Sequence, residues 1–246
     1  MKIKHGFVIL AVCLQASVSQ AEFMTNGGFE SGTLAPGWVD AGPYANATTS
    51  VVTSAVKDGQ TITPHSGTYF VETDKHPPYG DISQTLAGGP AQGTLTFAIY
   101  RTSFTSDQTD PALTIHSGDA DNNRFLLRWS WNSSDSIQIH AWSDDGGFVP
   151  LVTGVFLPTG QWVDVVLVAD NSGVDLSVGG NVLLTDYQIG TAGGATGVMT
   201  QINYIQHHTG WGSMNGGYDS FSFVPEPMTL SLLGLGSLAV LRRKRA

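Results

Sequence analysis

The sequence predicts an all-β protein, an antiparallel β-sandwich of the jelly-roll type, with a hydrophobic segment at each end. Between these ends, apolar residues recur at every second position rather than with the helical period of 3.6. Short stretches rich in Gly, Asn, Asp and Ser separate the alternating runs, as is typical of hairpin turns. Hairpins in series, each with one apolar face, favour two antiparallel sheets packed on a common core.

Five alternating runs are predicted as strands with one buried face. In the first, residues 94–102, the apolar face holds Leu95, Phe97 and Ile99. The later apolar sets are Phe125, Leu127, Trp129 and Trp131; Ile137, Ile139 and Ala141; Val163, Val165 and Leu167; and Val174, Leu176 and Val178. Because Trp129 and Trp131 share the apolar face of their run, they are predicted as core residues. Turns are predicted at 132–135, 144–147, 170–173 and 179–181.

The N-terminus, residues 1–21, is predicted to be a secretory signal peptide. A positive start, Lys2 and Lys4, precedes an apolar stretch that ends in the small-residue pattern Ser19-Gln20-Ala21. Signal peptidase cuts after such a pattern. We therefore expect the mature chain to begin at Glu22.

The C-terminus, residues 225–246, has three parts in a fixed order. Pro225-Glu226-Pro227 disfavours helix and sheet, and an uncharged apolar run follows over 228–241. A helix of this run spans roughly 21 Å at about 1.5 Å per residue, less than the ~30 Å hydrocarbon core. A short hydrophobic helix that serves as a processing signal is predicted, with its basic end in the cytoplasm. The basic cluster consists of Arg242, Arg243, Lys244 and Arg245.

Val224-Pro225-Glu226-Pro227, the apolar run and the Arg-rich end together resemble the PEP-CTERM sorting signal. The resemblance implies export by bacteria that make extracellular polysaccharide, and recognition of the tail by an exosortase, a membrane-embedded cysteine protease. We therefore expect a cell-surface or extracellular protein that the C-terminal helix anchors transiently in the membrane. The sequence leaves open whether the tail is cleaved or stays as an anchor.

The region between the termini, residues 22–224, is long enough for one sandwich domain. It holds 5 basic residues against 19 acidic ones, a net charge of −14. Such a surface excludes nucleic acid as a partner and disfavours anionic lipid. The one cysteine, Cys13, lies in the predicted signal peptide, so disulfides and thiol chemistry are excluded from the mature domain.

Short motifs in this region resemble two groups of jelly-roll domains. Five segments resemble carbohydrate-binding modules of the galactose-binding-like type. They are 26–30 (NGGFE), 36–38 (PGW), 65–70 (HSGTYF), 81–86 (DISQTL) and 217–223 (GYDSFSF). Two other segments, 160–165 (GQWVDV) and 179–181 (GGN), resemble laminin-G or concanavalin-type sandwiches. Both groups remain open, and the resemblance implies an extracellular polysaccharide as ligand.

A sugar site requires flat aromatic faces with amides and carboxylates beside them. On the run 136–142, the face opposite the apolar one carries Gln138, His140 and Trp142, which are predicted as a ligand platform. The alternative is that Trp142 belongs to the core or rim and that His140 is simply solvated. Trp211, in a glycine-rich stretch, is predicted on a loop, where binding residues concentrate.

A structural calcium ion is the one cofactor predicted. In the resembling modules such an ion lies near the chain ends, and the matching positions here are Glu30 and Asp219. A second candidate is the D-x-D-x-N spacing of Asp119, Asp121 and Asn123. That loop departs from the calcium pattern, because Arg124 and Ser130 replace its glycine and its late glutamate.

Catalysis is not expected. Glu72-Thr73-Asp74 resembles the start of the acid cluster of concanavalin-like glucanases, but Lys75, His76 and Pro77 follow where a second glutamate is needed. The expected function is therefore a non-catalytic surface protein that binds polysaccharide. The alternatives are a hydrolase or lyase that uses Glu72, Asp74 and Asp81, and a purely structural or adhesive protein.

Overall fold

The computed structural model describes residues 23–40, 49–73, 81–89, 91–102, 111–116, 124–129, 136–142, 148–156, 158–188, 201–209 and 216–226. These residues form sixteen strands and no helix. None of them forms a helix long and apolar enough to cross a membrane. The predicted signal peptide and the predicted hydrophobic helix lie outside the described residues.

The strands pair into two seven-stranded sheets and a separate hairpin, as far as the chain is described. The first sheet has the order β1-β6-β15-β8-β9-β10-β11, the second β14-β13-β12-β7-β16-β5-β2, and the hairpin is β3-β4. Every pair of neighbouring strands is antiparallel, which confirms the predicted fold class. The strands are β1 Val39–Asp40, β2 Ser50–Val52, β3 Ala55–Lys57, β4 Gln60–Ile62, β5 Phe70–Thr73, β6 Asp81–Thr85, β7 Gly93–Arg101, β8 Pro111–His116, β9 Arg124–Trp129, β10 Ser136–Trp142, β11 Phe148–Phe156, β12 Trp162–Asp170, β13 Gly173–Val178, β14 Asn181–Tyr187, β15 Tyr204–Thr209 and β16 Gly216–Pro225.

The main core lies between the two sheets and contains the predicted apolar faces of three strands. Leu95, Phe97 and Ile99 of β7 are at most 2% exposed. Directly opposite them in register are residues 167, 165 and 163 of β12. The first sheet closes this core from its own side with Ile82, Ile115 and Ile205. The period of two therefore identified the buried faces of β7, β12 and β13 correctly.

The hairpin from β13 to β14 turns on Gly179 and Gly180, between the paired residues Val178 and Asn181. Both glycines have positive φ, 57° and 78°. Two such residues in a row form the turn whose twist matches that of a hairpin, and glycine adopts them without strain. The predicted turn at this position is confirmed.

A β-bulge in β16 reverses the alternation of its side chains. Asp219 is in register with Ala98 and Ser222 with Thr96, so two residues of β16 face one of β7. Ser220 takes up the extra residue with a positive φ of 58°. As a result Tyr218 and Phe221 both enter the main core, although strict alternation would place them on opposite faces.

A second apolar cluster lies on the outer face of the second sheet. It consists of Phe70 and Tyr100 from the sheet together with Ala55 and Ile62 from the β3-β4 hairpin, and Trp162 packs against it. The Trp162 Nε1–H donates to the Thr63 carbonyl at 2.8 Å. The hairpin therefore covers one end of a face that would otherwise be solvated.

Candidate functional site

The segment between β4 and β5 is held by a buried carboxylate from β16. We call residues 65–69 the clamp loop. The backbone N–H groups of His65 and Ser66 donate to Asp219 Oδ2 at 2.8 and 3.1 Å. The Ser220 N–H donates to Asp219 Oδ1 at 2.6 Å. Asp219 is fully buried, and its burial raises the pKa of the carboxyl although these three backbone hydrogen bonds oppose the rise.

The other end of the clamp loop is held by Glu30, which comes from the opposite end of the domain sequence. The Thr68 N–H donates to both carboxylate oxygens of Glu30, at 3.0 and 3.1 Å, and the Tyr69 N–H donates to Oε1 at 3.3 Å. A Cβ atom on Gly67 would overlap the Glu30 carboxylate, so only glycine allows this approach. The two residues predicted as calcium ligands therefore meet on one loop.

The clamp loop meets the needs of a calcium ion only in part. Calcium takes six to eight oxygen ligands. Oxygen ligands are available from the two carboxylates and from two hydroxyl groups. These are the hydroxyls of Ser66 and Ser220, whose Oγ atoms lie 2.8 Å from each other. However, the carboxylate contacts given above are all to backbone N–H groups, which already stabilise the negative charges. No group of three His, Cys, Asp or Glu residues in the described ranges could hold a metal. Asp119, Asp121 and Asn123 lie outside those ranges, and calcium binding stays a prediction.

The His65 side chain joins the clamp loop to the outer face of the second sheet. Its Nδ1 lies 3.0 Å from Ser220 Oγ, and its Nε2 lies 3.3 Å from Asp164 Oδ1. The imidazole also packs edge-on against Trp162, with 5.8 Å between the ring centroids. Asp164 and Asp219 are both in register with Ala98 of β7, one on each side. His65 therefore bridges two strands that carry carboxylates on the outer face.

The predicted ligand platform lies on β10, next to the edge strand β11 of the first sheet as described. Gln138 is opposite Arg128 of β9, and His140 is opposite residue 126. The register with β11 shifts on either side of Ile139, which marks an irregularity beside the platform positions. Trp142 ends the strand. Trp211 lies outside the described residues, and the platform stays a prediction. Trp131 is likewise outside them, whereas Trp129 lies on β9.

Two of the three acidic residues of the hydrolase alternative, Glu72 and Asp81, lie on strands of different sheets. Glu72 lies on β5 of the second sheet and forms an ion pair with Lys57 of the hairpin at 3.3 Å. Asp81 begins β6 in the first sheet. Asp74 lies outside the described residues. A glycosidase needs two carboxyl groups about 5–10 Å apart across its substrate, and Glu72 and Asp81 belong to different sheets.

The predicted sorting signal begins within the folded domain. Pro225 is the last residue of β16, and the Glu226 N–H donates to the Gln92 carbonyl at 2.9 Å. Pro227 and the basic residues Arg242, Arg243, Lys244 and Arg245 lie outside the described residues. The last strand therefore includes the first residue of the predicted signal, and the second, Glu226, is bonded to the folded domain.

The C-terminus carries a recognised sorting motif, because residues 223–245 match the PEP-CTERM protein-sorting motif. No curated protein sequence matches the chain. Among solved structures the chain is similar to the cellulose induced protein Cip1, with 16% identity, a TM-score of 0.52, and coverage of 80% of this chain and 95% of that one.

Two further solved structures are similar to the chain. The globular domain of T. cruzi calreticulin has 9% identity and a TM-score of 0.50, over 87% of this chain and 93% of that one. The carbohydrate-binding module CBM66 from Bacillus subtilis has 10% identity and a TM-score of 0.42, over 76% and 92%. At their identities, the similarities to Cip1 and to the calreticulin domain concern the fold alone.

Sequence reasoning did not identify the His65 cluster as a site. The motifs HSGTYF and GQWVDV were both singled out for their resemblance to known sandwiches, but they are far apart in the sequence. What joins them is the side-by-side placement of β12, β7 and β16. No local pattern signals that His65, Asp164 and Ser220 meet, because strand order is decided by tertiary packing.

Proposed function

We propose that this chain is an exported bacterial cell-surface or extracellular-matrix protein that binds polysaccharide without catalysing its cleavage, and that an exosortase sorts it by its tail. The observation that carries the proposal is the direct attachment of a PEP-CTERM motif, residues 223–245, to the last strand of a jelly-roll sandwich. No linker separates the domain from its sorting motif, because the motif begins within the last strand. The sandwich is therefore the cargo that this motif delivers.

The ligand surface of this proposal is the platform Gln138, His140 and Trp142, together with Trp211. An aromatic face packs on the apolar side of a pyranose, and amide and imidazole groups bond to its hydroxyls. The separation of Glu72 and Asp81 into different sheets supports binding rather than hydrolysis. The acidic domain favours a neutral or cationic glycan over a strongly anionic one.

Affinity electrophoresis of the purified protein in gels that contain exopolysaccharide from its own bacterium tests the binding. We expect retardation of the wild type and about a fivefold weaker apparent affinity for Trp142→Ala, because an aromatic contact contributes about 1 kcal/mol and tenfold would need about 1.4 kcal/mol. Val182→Ala is the control, since Val182 is exposed on β14 of the other sheet. Equal retardation of Trp142→Ala and the wild type would place the ligand elsewhere. Release of reducing ends in the same mixture would favour the hydrolase alternative.

A further inference from the structure

The end of β16 and the start of the sorting motif are the same residues. The motif covers 223–245, and β16 extends to Pro225. Phe223, Val224 and Pro225 are in register with Leu95, Thr94 and Gly93 of β7. The Glu226 N–H adds one more bond, to the Gln92 carbonyl. The first three residues of the motif are therefore part of the second sheet, and the fourth, Glu226, is bonded to the residue that precedes β7.

Two contacts hold this end of β16 more firmly than hydrogen bonds alone. Phe223 is only 5% exposed and belongs to the main core. Gly93 lies so close to β16 that a Cβ atom there would come within 2.7 Å of Pro225 Cα and 2.8 Å of the Phe223 ring. Glycine thus permits the close approach of the two strands. Peeling the motif off β7 would expose a core aromatic ring and break the pairing with β7.

The N-terminal end of the described domain lies beside the same residues. The ring of Phe23 packs against that of Phe223, with 5.9 Å between the centroids. The Phe23 carbonyl also accepts a hydrogen bond from the Ala87 N–H at 3.0 Å. Phe23 follows the predicted signal-peptidase site by two residues. The predicted N-terminus of the mature domain therefore lies beside the start of the sorting motif.

We infer that the tail is cleaved on the C-terminal side of Glu226, and that the folded end of β16 sets this limit. A protease must take the residues around the scissile bond into its own cleft, and residues bonded within a sheet are open to it only in the fraction of molecules where the strand has separated. The peptide bonds between Phe223 and Glu226 are protected from cleavage in this way. The mature protein then keeps Pro225, the end of its last strand, and Glu226, which is bonded to Gln92.

The chemistry is hydrolysis of one peptide bond, in which water supplies the hydroxyl of the new carboxyl terminus and the proton of the new amine on the tail. The inference rests on the proposed processing by an exosortase. It is independent of the proposed polysaccharide ligand. The protection of the chain up to Glu226 is a property of the fold. A second, unrelated protease can therefore test it.

Intact-mass spectrometry of the full-length protein, expressed in its own bacterium and recovered after export, tests the position of the cut. We expect a mature species that ends at Glu226 or later. We also expect Gly93→Val and Phe223→Ala to raise the fraction of chains cut before Glu226 at least tenfold, because both loosen the end of β16. Val224→Ala is the matched control in the same strand and motif, since Val224 is 44% exposed.

The wild-type chain provides a second measurement that requires no variant to fold. Brief digestion of the full-length protein with proteinase K should leave a resistant core that ends at Glu226 or later. A mature end at Pro225 or earlier, or a resistant core that ends there, would overturn the inference while leaving processing intact. A chain recovered uncut through Ala246 would overturn both the inference and the proposed processing.

Discussion

Replacing Asp219 with alanine should destabilise the domain more than replacing Glu30, the other carboxylate that holds the clamp loop. The substitution removes the acceptor of the His65 and Ser66 N–H groups, which lie far away in sequence, and of the Ser220 N–H. A hydrogen bond to a charged group contributes about 1.5–3 kcal/mol, so the two long-range bonds sum to about 3–6 kcal/mol. Relief from burying a carboxylate whose pKa is raised offsets part of this loss.

We therefore expect the free energy of unfolding to fall by about 3 kcal/mol in Asp219→Ala. Urea unfolding followed by tryptophan fluorescence measures it, since Trp38 and Trp162 lie in the two apolar clusters. Glu30→Ala should cost about 1 kcal/mol, because Glu30 is exposed and its bonds compete with water. Asp164→Ala is the control, because Asp164 is exposed and contacts only the His65 ring through its side chain among the contacts described here.

A double-mutant cycle between Glu30 and Asp219 sharpens the test. Both residues order the same five-residue loop, so loss of one should reduce what the other still contributes. We expect the double variant to be less destabilised than the sum of the two single variants, by at least 0.5 kcal/mol. A free energy of unfolding of Asp219→Ala within about 0.5 kcal/mol of the wild-type value would contradict the role assigned to Asp219. Full additivity would show that the two carboxylates do not hold one structural unit.

Two other predictions concern the same carboxylates. If calcium binds at the clamp loop, adding Ca²⁺ in excess should raise the Tm of the wild type and a chelator should reverse the rise. Asp164→Ala should keep this shift and Glu30→Ala should lose it; an equal shift in Glu30→Ala would place the ion elsewhere. Because burial raises the folded pKa of Asp219 above the ordinary value of 3.8, its contribution to stability is fully present below that pH and is lost as the pH rises through the folded pKa. Urea unfolding across this range should therefore show Asp219→Asn gaining stability relative to the wild type as the pH rises, and a constant difference would contradict the raised pKa.

The alternation of apolar residues was enough to predict the fold class and the buried faces of β7, β12 and β13. Successive side chains of a strand point to opposite faces, so the pattern is local and can be read from the sequence. The turn at Gly179 and Gly180 is local in the same sense, because it depends on two residues that adopt positive φ. The sorting motif is also a local signal, and the match over 223–245 confirms it.

The face occupied by each residue of β16 was not predictable in this way. Asp219 and Phe221 are two residues apart and should share a face, yet one bonds the clamp loop and the other enters the core. The bulge at Ser220 makes this possible. It allows Tyr218, Phe221 and Phe223 all to pack in the main core. Such an irregularity depends on the packing of the whole sheet.

The sequence by itself determined that this is a β-sandwich, which residues carry its alternating faces, and that its tail is a sorting motif. Glu30 and Asp219 were paired through a resemblance, whereas the loop on which they meet emerged only from the fold. The tertiary structure alone decided that His65 lies between Asp164 and Ser220, that Pro225 belongs to the last strand, and that Glu226 is bonded to Gln92. The physical reason is that local patterns fix backbone geometry and burial, while contacts between distant residues depend on strand order and register.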